Sequence, residues 1–441
     1  MMSAEFLDTS SLENAHSVIN RHIPLGISSE TLPLRAALGR ITSNELTAQE
    51  DLPQFSKSTV DGFAVRASDT FGASEGTPIF MEVVGEVIMG TGEVMDIKGN
   101  RLFVSPEKIS ISDYTAIRIP TGGMLPEGSD GVVMIEYTQP CCNNKDKGNM
   151  IEVTRDIAPG ENVIRAGEDI RKGESLFPKG HQIRTQDIGV LAGLGMTQVQ
   201  VYRRPRIAIL STGPEICPID KKPKNAQVRD INSYTLAAIV WESGGDPIFM
   251  GICPDNLDHI KDAVQSVLKS SDCVLISGGS SVGSRDYTFQ AITQLGPPGV
   301  LIHGLSIRPG KPTIIGQSGS VPIIGLPGHP ASAMIVAQTI VSPLVHRLSG
   351  LSLSPLEAKI RNLTGKIWAR LTRNVPSPTG KEDFVRVALS LDQKQNGIIL
   401  ATPLFGKSGL ISTLVKAHGI LRIPADSEGA YEGEEVEILP F

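Results

Sequence analysis

Carboxylate, hydroxyl and glycine residues lie together directly after the apolar run at residues 273–277. Glycine lacks a Cβ atom, so backbone N–H groups in such a loop can close around an anion, and serine hydroxyls add further donors. The loop residues with these properties are Gly278, Gly279, Ser280, Ser281 and Gly283. Asp286 follows them, and its carboxylate can hold a divalent cation against a bound phosphate. The competing interpretation is a plain glycine-rich connection in which Asp286 only caps the next helix.

A second loop carries two cations in a stiff backbone. Arg308 and Lys311 lie beside Pro309 and Pro312, and a backbone restrained by proline loses less entropy when Lys311 meets an anion. A proline-rich surface turn with incidental basic residues is the alternative.

A third loop leads into a helix and suits an oxyanion. Pro330 fits the first helical turn, Ser332 lies within that turn, and Gly328 precedes both, so free backbone N–H groups are expected there. An ordinary helix start is the alternative.

Polar residues also follow the apolar run at residues 206–210. Thr212, Gly213 and Glu215 lie in the loop directly after this run, and Asp230 lies just before the next predicted helix. Loops on a rigid scaffold commonly carry binding residues, so the loop that begins after residue 210 is a candidate for contact with the same ligand.

Two earlier turns carry further candidates. Ser58 and Asp61 stand just before an apolar strand, and Asp169 follows Gly167 in a turn that also contains Arg and Glu. Side chains at such positions can reach a ligand. A simple hairpin turn at Asp61 and a solvated turn at Asp169 remain the alternatives.

Alternating elements are predicted to bring the later loops together. From residue 206 onward, strand and helix patterns alternate at the spacing of βαβ units, which predicts a parallel sheet with right-handed crossovers. The carboxyl ends of parallel strands share one edge, so the loops after residues 210, 277, 303 and 324 are expected to converge there. Residues 331–348 predict one long apolar helix.

The rest of the chain is predicted to build smaller elements. Residues 10–23 predict a helix capped by Ser10 or Ser11, and residues 41–46 predict a strand. Residues 79–137 alternate short strands with turns and predict a small, mostly β domain, while the tail after residue 352 predicts a small β barrel or sandwich.

Composition and charge disfavour nucleic-acid and membrane partners. The chain has 441 residues, a net charge of −6 and 5% aromatic residues, which disfavours nucleic-acid binding. No apolar run approaches the roughly 20 residues of a membrane helix, no signal peptide is evident at the N-terminus, and the five cysteines lack metal-finger spacing. We therefore expect a cytoplasmic protein without a membrane or nucleic-acid partner.

Motifs along nearly the whole chain resemble, in family order, those of the molybdopterin molybdenumtransferase family, which includes the gephyrin E domain. The motifs are Ser58-Thr-Val-Asp61-Gly62-Phe-Ala64-Val, Thr121-Gly122 with Pro126-Glu-Gly128-Ser-Asp130, Gly167-Glu168-Asp169, Ser211-Thr-Gly213-Pro-Glu215, Arg229-Asp230-Ile-Asn232, Ser277-Gly-Gly-Ser-Ser281-Val-Gly283-Ser-Arg-Asp286, Pro309-Gly-Lys311-Pro312 and Gly325-Leu-Pro-Gly-His-Pro-Ala-Ser332.

The resemblance implies a multidomain α/β fold and an elongated homodimer with its active cleft between subunits. It implies a molybdopterin-binding α/β domain with a parallel-rich sheet (1–26 and 206–350) and a linker domain (27–50 and 170–205). A small, mostly β domain (51–169) and a C-terminal β-barrel-like domain (351–441) complete it.

The activity implied is Mg²⁺-dependent insertion of molybdate into adenylylated molybdopterin, with release of AMP, in molybdenum cofactor biosynthesis. The implied partners are these two substrates, a second copy of the chain and, as a further candidate, the upstream molybdopterin adenylyltransferase.

The resemblance also implies residue roles. Asp230 and Asp286 would bind Mg²⁺ and the pyrophosphate link, with Ser281 nearby. Asp61 and Asp169 would support the cleft from the small β domain, and the β domain of the partner subunit is the candidate source. The residues implied to face molybdate are Arg308, Lys311, Pro312, Ser332 and Ser408. The other implied substrate-binding positions are Ser58, Thr212, Gly213, Glu215, Gly278, Gly279, Gly283 and Gly328.

Departures from the family pattern leave a second hypothesis open. Pro214 stands where Asp is usual, Arg308 where Lys is commoner, His329 where Asn is frequent, and Lys381 where Arg is common. In addition, residues 406–409 match only in part. A catalytically weakened paralogue that holds molybdopterin as a carrier or scaffold is therefore the alternative to an active transferase.

Overall fold

The computed structural model describes residues 9–103, 111–141, 149–278, 286–353, 365–392, 397–409 and 411–441. The chain forms two compact units, the first made of residues 1–44, 178–188 and 198–441, and the second of residues 45–177 and 189–197. These units and the predicted four-domain division draw their boundaries differently, and the four-domain boundaries stay a prediction.

The centre of the first unit is a six-stranded sheet. Its strands are β1 (Arg206–Thr212), β2 (Asp246–Cys253), β3 (Cys273–Ser277), β4 (Pro298–His303), β5 (Ile314–Ser318) and β6 (Val321–Leu326). They lie in the order β2-β1-β3-β6-β5-β4, with β2, β1, β3 and β6 parallel to one another. Every residue of β3 is buried, as expected of a central strand covered on both faces.

One edge of this sheet departs from the parallel pattern predicted from the sequence. β5 pairs antiparallel with β6 and with β4, because the short turn between β5 and β6 leaves no room for a crossover. β4 consequently runs in the same direction as β6, so the loop after β4 still lies at the edge where the parallel strands end.

Helices cover both faces of the sheet. The described α-helices of the first unit are Leu12–His22, Asn232–Glu242, Leu257–Val267, Tyr287–Gln294, Pro330–Val336, Ser342–Leu348 and Ser412–Val415, with a 3₁₀ turn at Leu34–Ala36. The helix Thr185–Gly193 is divided between the two units after Ile188. The first begins at Ser11, whose hydroxyl accepts a hydrogen bond from the Asn14 N–H, so the predicted cap is confirmed.

The helix predicted over residues 331–348 contains an irregularity. Pro330–Val336 and Ser342–Leu348 are α-helical, but Ala337–Val341 between them is a π-helix. The apolar side chains remain buried throughout, so hydrophobic periodicity alone did not reveal the wider turn.

A closed β barrel ends the chain. Its five strands are Ile367–Leu371, Glu382–Leu391, Ile399–Pro403, Gly419–Ile423 and Glu435–Pro440, and pairing of the second with the fourth closes the ring. The short strand Ile307–Arg308 from the α/β region extends it by pairing with Glu382 and Asp383. The barrel predicted from the sequence is confirmed.

The second unit contains a mostly β sheet. Its main path is Thr138–Pro140, Met150–Val153, Ile79–Ile88, Thr115–Ile119, Gly62–Val65 and Gly131–Met134, with Glu93–Asp96 and Arg101–Phe103 attached and 3₁₀ turns at Ala67–Thr70 and Ile135–Tyr137. The small, mostly β domain is confirmed.

Short two-stranded pairs complete the two units. They are Ser29–Pro33 with Gln198–Tyr202, Leu46–Thr47 with Ser175–Phe177, Lys57–Ser58 with Val163–Ile164, Ile216–Cys217 with Val228–Arg229, and Val375–Pro376 with Gly429–Ala430. The strand predicted at residues 41–46 is wrong. Ile41 and Thr42 make only isolated bridges, and a strand begins at Leu46, because Ser43 and Asn44 form a bend between them.

Candidate active site

Asp230 follows the short strand Val228–Arg229, and its carboxylate meets a hydroxyl of β1 and the start of a helix. The Ser211 hydroxyl donates to Asp230 Oδ1 over 3.0 Å, and the Ser233 N–H donates to the same oxygen over 3.1 Å. Asp230 is buried, so these bonds fix the orientation of its carboxylate. The sequence places an acid here for ligand chemistry, and the structure shows that the acid also stabilises the start of helix Asn232–Glu242.

Asn232 connects three loops at the same edge. Its Nδ2 donates to Ser277 Oγ over 2.7 Å and to the Gly328 carbonyl over 2.9 Å. A carbonyl cannot donate, so Gly328 requires the NH₂ group on that side and sets the orientation of the amide. Asn232 is 8% exposed, and its Oδ1 has no hydrogen-bond partner among the described residues. The motif around Asp230 includes Asn232, but its bridging function depends on contacts with distant loops.

Gly278 is required by a close backbone approach. Its φ is +103°, and a Cβ at this position would lie 2.0 Å from the Thr212 carbonyl oxygen. The end of β3 therefore packs directly against the end of β1. Gly279, Ser281 and Gly283, which the sequence assigns to the same loop, lie outside the described residues.

Asp286 is both a helix cap and a buried acid. Its Oδ1 accepts the Phe289 N–H over 3.0 Å, so Asp286 caps the helix, and its Oδ2 lies 3.3 Å from His303 Nε2. Burial raises the pKa of the Asp286 carboxyl, and the charge of Asp255 adds to the rise, against the opposing effects of Phe289 and His303. A cation near this carboxylate would relieve the cost of ionising it.

Asp255 and His303 are residues of this edge that the sequence interpretation missed. Asp255 follows the end of β2 and accepts the Thr212 hydroxyl over 3.2 Å. His303 ends β4 and stacks on Phe289, with ring centroids 4.5 Å apart. Asp255 could have been found from the sequence, because it lies just after a predicted strand. The contact of His303 with Asp286 could not, because it depends on the antiparallel edge of the sheet.

Gly213 and Glu215 form a tight loop after β1. A Cβ on Gly213 would lie 2.7 Å from Glu215 Oε2, so the carboxylate folds back over the glycine. Thr212 is buried and Pro214 is exposed. The loop is therefore held by Thr212, while Pro214 faces solvent.

Lys311 lies in the loop after β4. Its carbonyl accepts the N–H groups of Leu305 and Thr313, each over 2.9 Å, which ties the loop to itself. Among the described residues, no ion pair involves the Lys311 ammonium group. Lys311 and Pro312 are both half-buried, so the side chains keep partial access to solvent.

Arg308 makes a contact that the sequence did not predict. Its guanidinium pairs with Asp383 of the barrel, a buried carboxylate that also accepts the Ser377 hydroxyl over 3.2 Å. The Arg308 side chain remains 51% exposed. The pair joins the loop after β4 to the barrel, and a role of Arg308 toward molybdate stays a prediction.

Ser408 of the barrel region lies at the start of helix Pro330–Val336. Its carbonyl accepts the Ala331 N–H over 3.1 Å, and its hydroxyl lies 3.1 Å from His329 Nδ1. Ser332 is buried in the first turn of this helix. The structure thus brings Ser408, His329 and the turn containing Ser332 together.

The candidate residues of the second unit have local partners. The Ser58 hydroxyl donates to the Val60 carbonyl over 2.6 Å, and Asp61 Oδ1 accepts the Thr121 N–H over 2.7 Å. Asp169 is exposed and, with Lys57, lines a cleft of about 530 Å³. Ser58 and Asp61 therefore stabilise turns, whereas Asp169 faces an open cleft.

Comparison with known families covers most of the chain. Residues 10–195 match the MoeA N-terminal region (domain I and II), residues 208–347 a probable molybdopterin binding domain, and residues 368–441 the MoeA C-terminal region (domain IV).

Individual proteins match over long stretches. The chain is 33% identical to the molybdopterin molybdenumtransferase of a Nostoc species over 76% of this chain and 73% of the relative. It is 30% identical to the Bacillus subtilis molybdopterin molybdenumtransferase over 93% of this chain and 89% of the relative.

Solved structures agree with the sequence relatives. A crystal structure of a molybdopterin biosynthesis MoeA protein from Pyrococcus horikoshii superimposes with a TM-score of 0.79 at 34% identity, covering 98% of this chain and 99% of that one. Sequence and fold match together over nearly the full length, so the chain belongs to the molybdopterin molybdenumtransferase (MoeA) family.

Proposed function

We propose that this protein inserts molybdate into adenylylated molybdopterin and releases AMP. Together with family membership, the arrangement at the sheet edge carries the proposal. Asp255 follows the end of β2, Asp286 and Lys311 lie in the segments after β3 and β4, and Asp230 is hydrogen-bonded to Ser211 near the end of β1. Ligands of α/β sheets bind at that edge, and acids plus a lysine suit a metal-bridged phosphate and a second oxyanion.

The acids fit a magnesium ion. Mg²⁺ is held in proteins by one or two carboxylates completed by water and substrate phosphate oxygens, and no cluster of three or more acidic, histidine or cysteine ligands occurs among the described residues. Asp286, with Asp230 or Asp255, would hold the ion, which supplies neutralisation of phosphate charge when bound. Burial raises the pKa of Asp286, and a cation bound there would offset the cost of ionising this carboxyl.

The loop after β4 and the barrel would hold molybdate. Lys311 supplies an ammonium group without a carboxylate partner among the described residues, and Ser332 and Ser408 supply hydroxyls next to His329. Binding there orients the oxyanion and offsets its charge. Because Arg308 is tied to Asp383, we assign the direct contact to Lys311 and a positioning function to Arg308.

The proposal extends to assembly and location. We propose a homodimer in which Asp61 and Asp169 complete a cleft of the partner subunit, with the upstream adenylyltransferase as a candidate partner and the cytoplasm as the compartment. No helix in the described part of the chain is long and apolar enough to span a membrane.

Incubating purified protein with adenylylated molybdopterin, molybdate and Mg²⁺ tests the proposal. We expect AMP to be released only when molybdate and Mg²⁺ are both present. Tight binding of the substrate without AMP above the protein-free control would instead favour the carrier hypothesis, for which the exposed Pro214 in place of an acid is the supporting observation.

A further inference from the structure

A small pocket lies at the end of the α/β region opposite the acids of the candidate site. It measures about 250 Å³, and all of its lining residues belong to the first unit. Arg204 lines it just before β1 begins, and Trp241 and Glu242 line it where the helix Asn232–Glu242 ends. That helix has 11 residues, which corresponds to a length of about 16 Å. The pocket is therefore separate from the site at the start of the same helix.

Arg204 supplies a guanidinium with unused hydrogen-bonding capacity. Its side chain is 47% exposed, and its ion pair with Asp246 spans 3.9 Å, which is longer than a hydrogen bond. Among the described residues, this guanidinium makes no hydrogen bond. Its N–H donors form a planar fork that matches the oxygens of a carboxylate or a phosphate.

Arg40 adds a second and deeper guanidinium to the pocket. Only 11% of its side chain is exposed. Its Nη2 atom donates to Glu30 and to the Tyr202 carbonyl, whereas its Nε and Nη1 atoms have no partner in the part of the chain that the structure describes. Because Glu30 and Asp246 already offset part of the charge of the two arginines, an anion with a single negative charge fits this pocket better than a dianion.

Trp241 supplies an apolar surface beside these cations. Trp241 is 58% exposed, and its indole makes no ring contact with any other described residue. Flat rings pack favourably on an exposed indole. The volume limits the ligand to about one ring, because sites for drug-sized molecules measure about 300–1,000 Å³.

We propose that this pocket binds a small aromatic monocarboxylate, with its carboxylate on Arg204 and Arg40 and its ring on Trp241. Glu242 also lines the pocket and has no ion pair among the described residues, so a ring with an amino group beside the carboxylate suits it. The inference goes beyond the proposed function and does not depend on it, because the acids and the lysine of the candidate active site are not among the residues that line this pocket.

Titration calorimetry of the full-length protein with anthranilate tests the inference. Anthranilate is a single ring that carries one carboxylate and an adjacent amino group. We expect saturable binding that Arg204→Ala weakens by about ten- to a hundredfold, the range for a hydrogen bond to a charged group. Trp241→Ala should weaken binding by about two- to tenfold, the range for an aromatic pair, and Trp241→Phe should retain most of the affinity because it keeps a flat ring.

Arg206→Ala and Trp368→Ala are the matched controls. Arg206 is exposed and close to Arg204 in the sequence, and Trp368 of the barrel is 58% exposed like Trp241, but neither residue lines the pocket. Both variants should bind anthranilate as the wild-type protein does. Lys311→Ala should do so too, which separates this pocket from the proposed oxyanion site. Arg204→Lys keeps the charge but loses the planar fork, so it should weaken binding.

The inference would be overturned by a lack of saturable binding to the wild-type protein, or by wild-type affinity in both Arg204→Ala and Trp241→Ala. Equal binding of anthranilamide, which lacks the carboxylate, would also refute it. Displacement of anthranilate by an equal concentration of inorganic phosphate would refute the assignment to a monocarboxylate. A dimer that is lost in Trp241→Ala, measured by sedimentation, would make Trp241 a contact between copies and would count against the pocket as a ligand site.

Discussion

Asp286 illustrates at the scale of one residue how function opposes stability. Its carboxylate caps a helix, yet burial and the charge of Asp255 raise its pKa. A raised folded-state pKa means that the native state binds the proton more tightly than the unfolded state. The resulting stability is present at low pH and is lost as pH rises through the folded-state pKa.

Asp286→Asn should therefore remove activity without lowering stability at neutral pH. Asparagine caps helices about as well as aspartate, and it carries no charge to desolvate. We expect thermal unfolding of the metal-free variant at about pH 8 to match or exceed that of wild type, with the difference vanishing near about pH 4.

AMP release by Asp286→Asn should fall by about a hundredfold or more, because the metal-binding charge is lost. Asp258→Asn, at an exposed position in the first turn of helix Leu257–Val267, is a control that should retain activity. An Asp286→Asn variant with near-normal AMP release would refute the metal role of this carboxylate.

Element-scale packing at the sheet edge depends on glycines that replace side-chain contacts with backbone contacts. Gly278 and Gly296 share a φ of +103°, but a Cβ on Gly278 would meet the Thr212 carbonyl whereas a Cβ on Gly296 would meet open space. Comparing alanine substitutions at these two positions therefore separates the effect of backbone strain from the effect of steric overlap.

Gly296→Ala should lower the free energy of unfolding by about 1–3 kcal/mol, the usual range for strained backbone. Gly278→Ala should lower it clearly further and reduce AMP release, because β1 and β3 must separate. Denaturant unfolding of both variants measures the difference, and equal losses would show that the close approach does not matter.

The Arg308–Asp383 pair tests how the loop after β4 is joined to the barrel. Arg308→Ala leaves the buried Asp383 carboxylate with the Ser377 hydroxyl and should cost about 1–3 kcal/mol of unfolding free energy. Asp383→Asn in the Arg308→Ala background should recover part of the loss. Additive effects in this double-mutant cycle would mean that the two groups do not interact.

Much of the fold at this scale was predictable from the sequence, because buried β-branched runs separated by helical periods define β1, β3 and β6. Three features were not. The antiparallel β5 depends on a short turn rather than on hydrophobicity, the π-helix at Ala337–Val341 keeps the same buried residues, and Asn232 acquires its function only from contacts with Ser277 and Gly328. Single-chain patterns carry no signal for contacts between distant loops.

Each compact unit carries part of the predicted site. Asp61 and Asp169 lie in the second unit, whereas Asp286 and Lys311 lie in the first. The proposed homodimer would complete each cleft with acids from the partner, as two-fold symmetry permits.

Mixing two inactive variants tests this arrangement. Asp169→Asn and Asp286→Asn should each abolish AMP release, whereas dimers exchanged between them should restore about a quarter of wild-type activity, since half the dimers would carry one intact site. Refolding each variant alone is the control. Activity that stays absent after verified exchange would place both acids in the cleft of a single chain.

The most direct test of the account is the stoichiometry of a single turnover. Purified protein loaded with adenylylated molybdopterin receives Mg²⁺ and molybdate, and released AMP and pterin-bound molybdenum are counted together. We expect one molybdenum for each AMP, with both products lost in Lys311→Ala. AMP formed without molybdenum transfer, or equal transfer by Lys311→Ala, would contradict it.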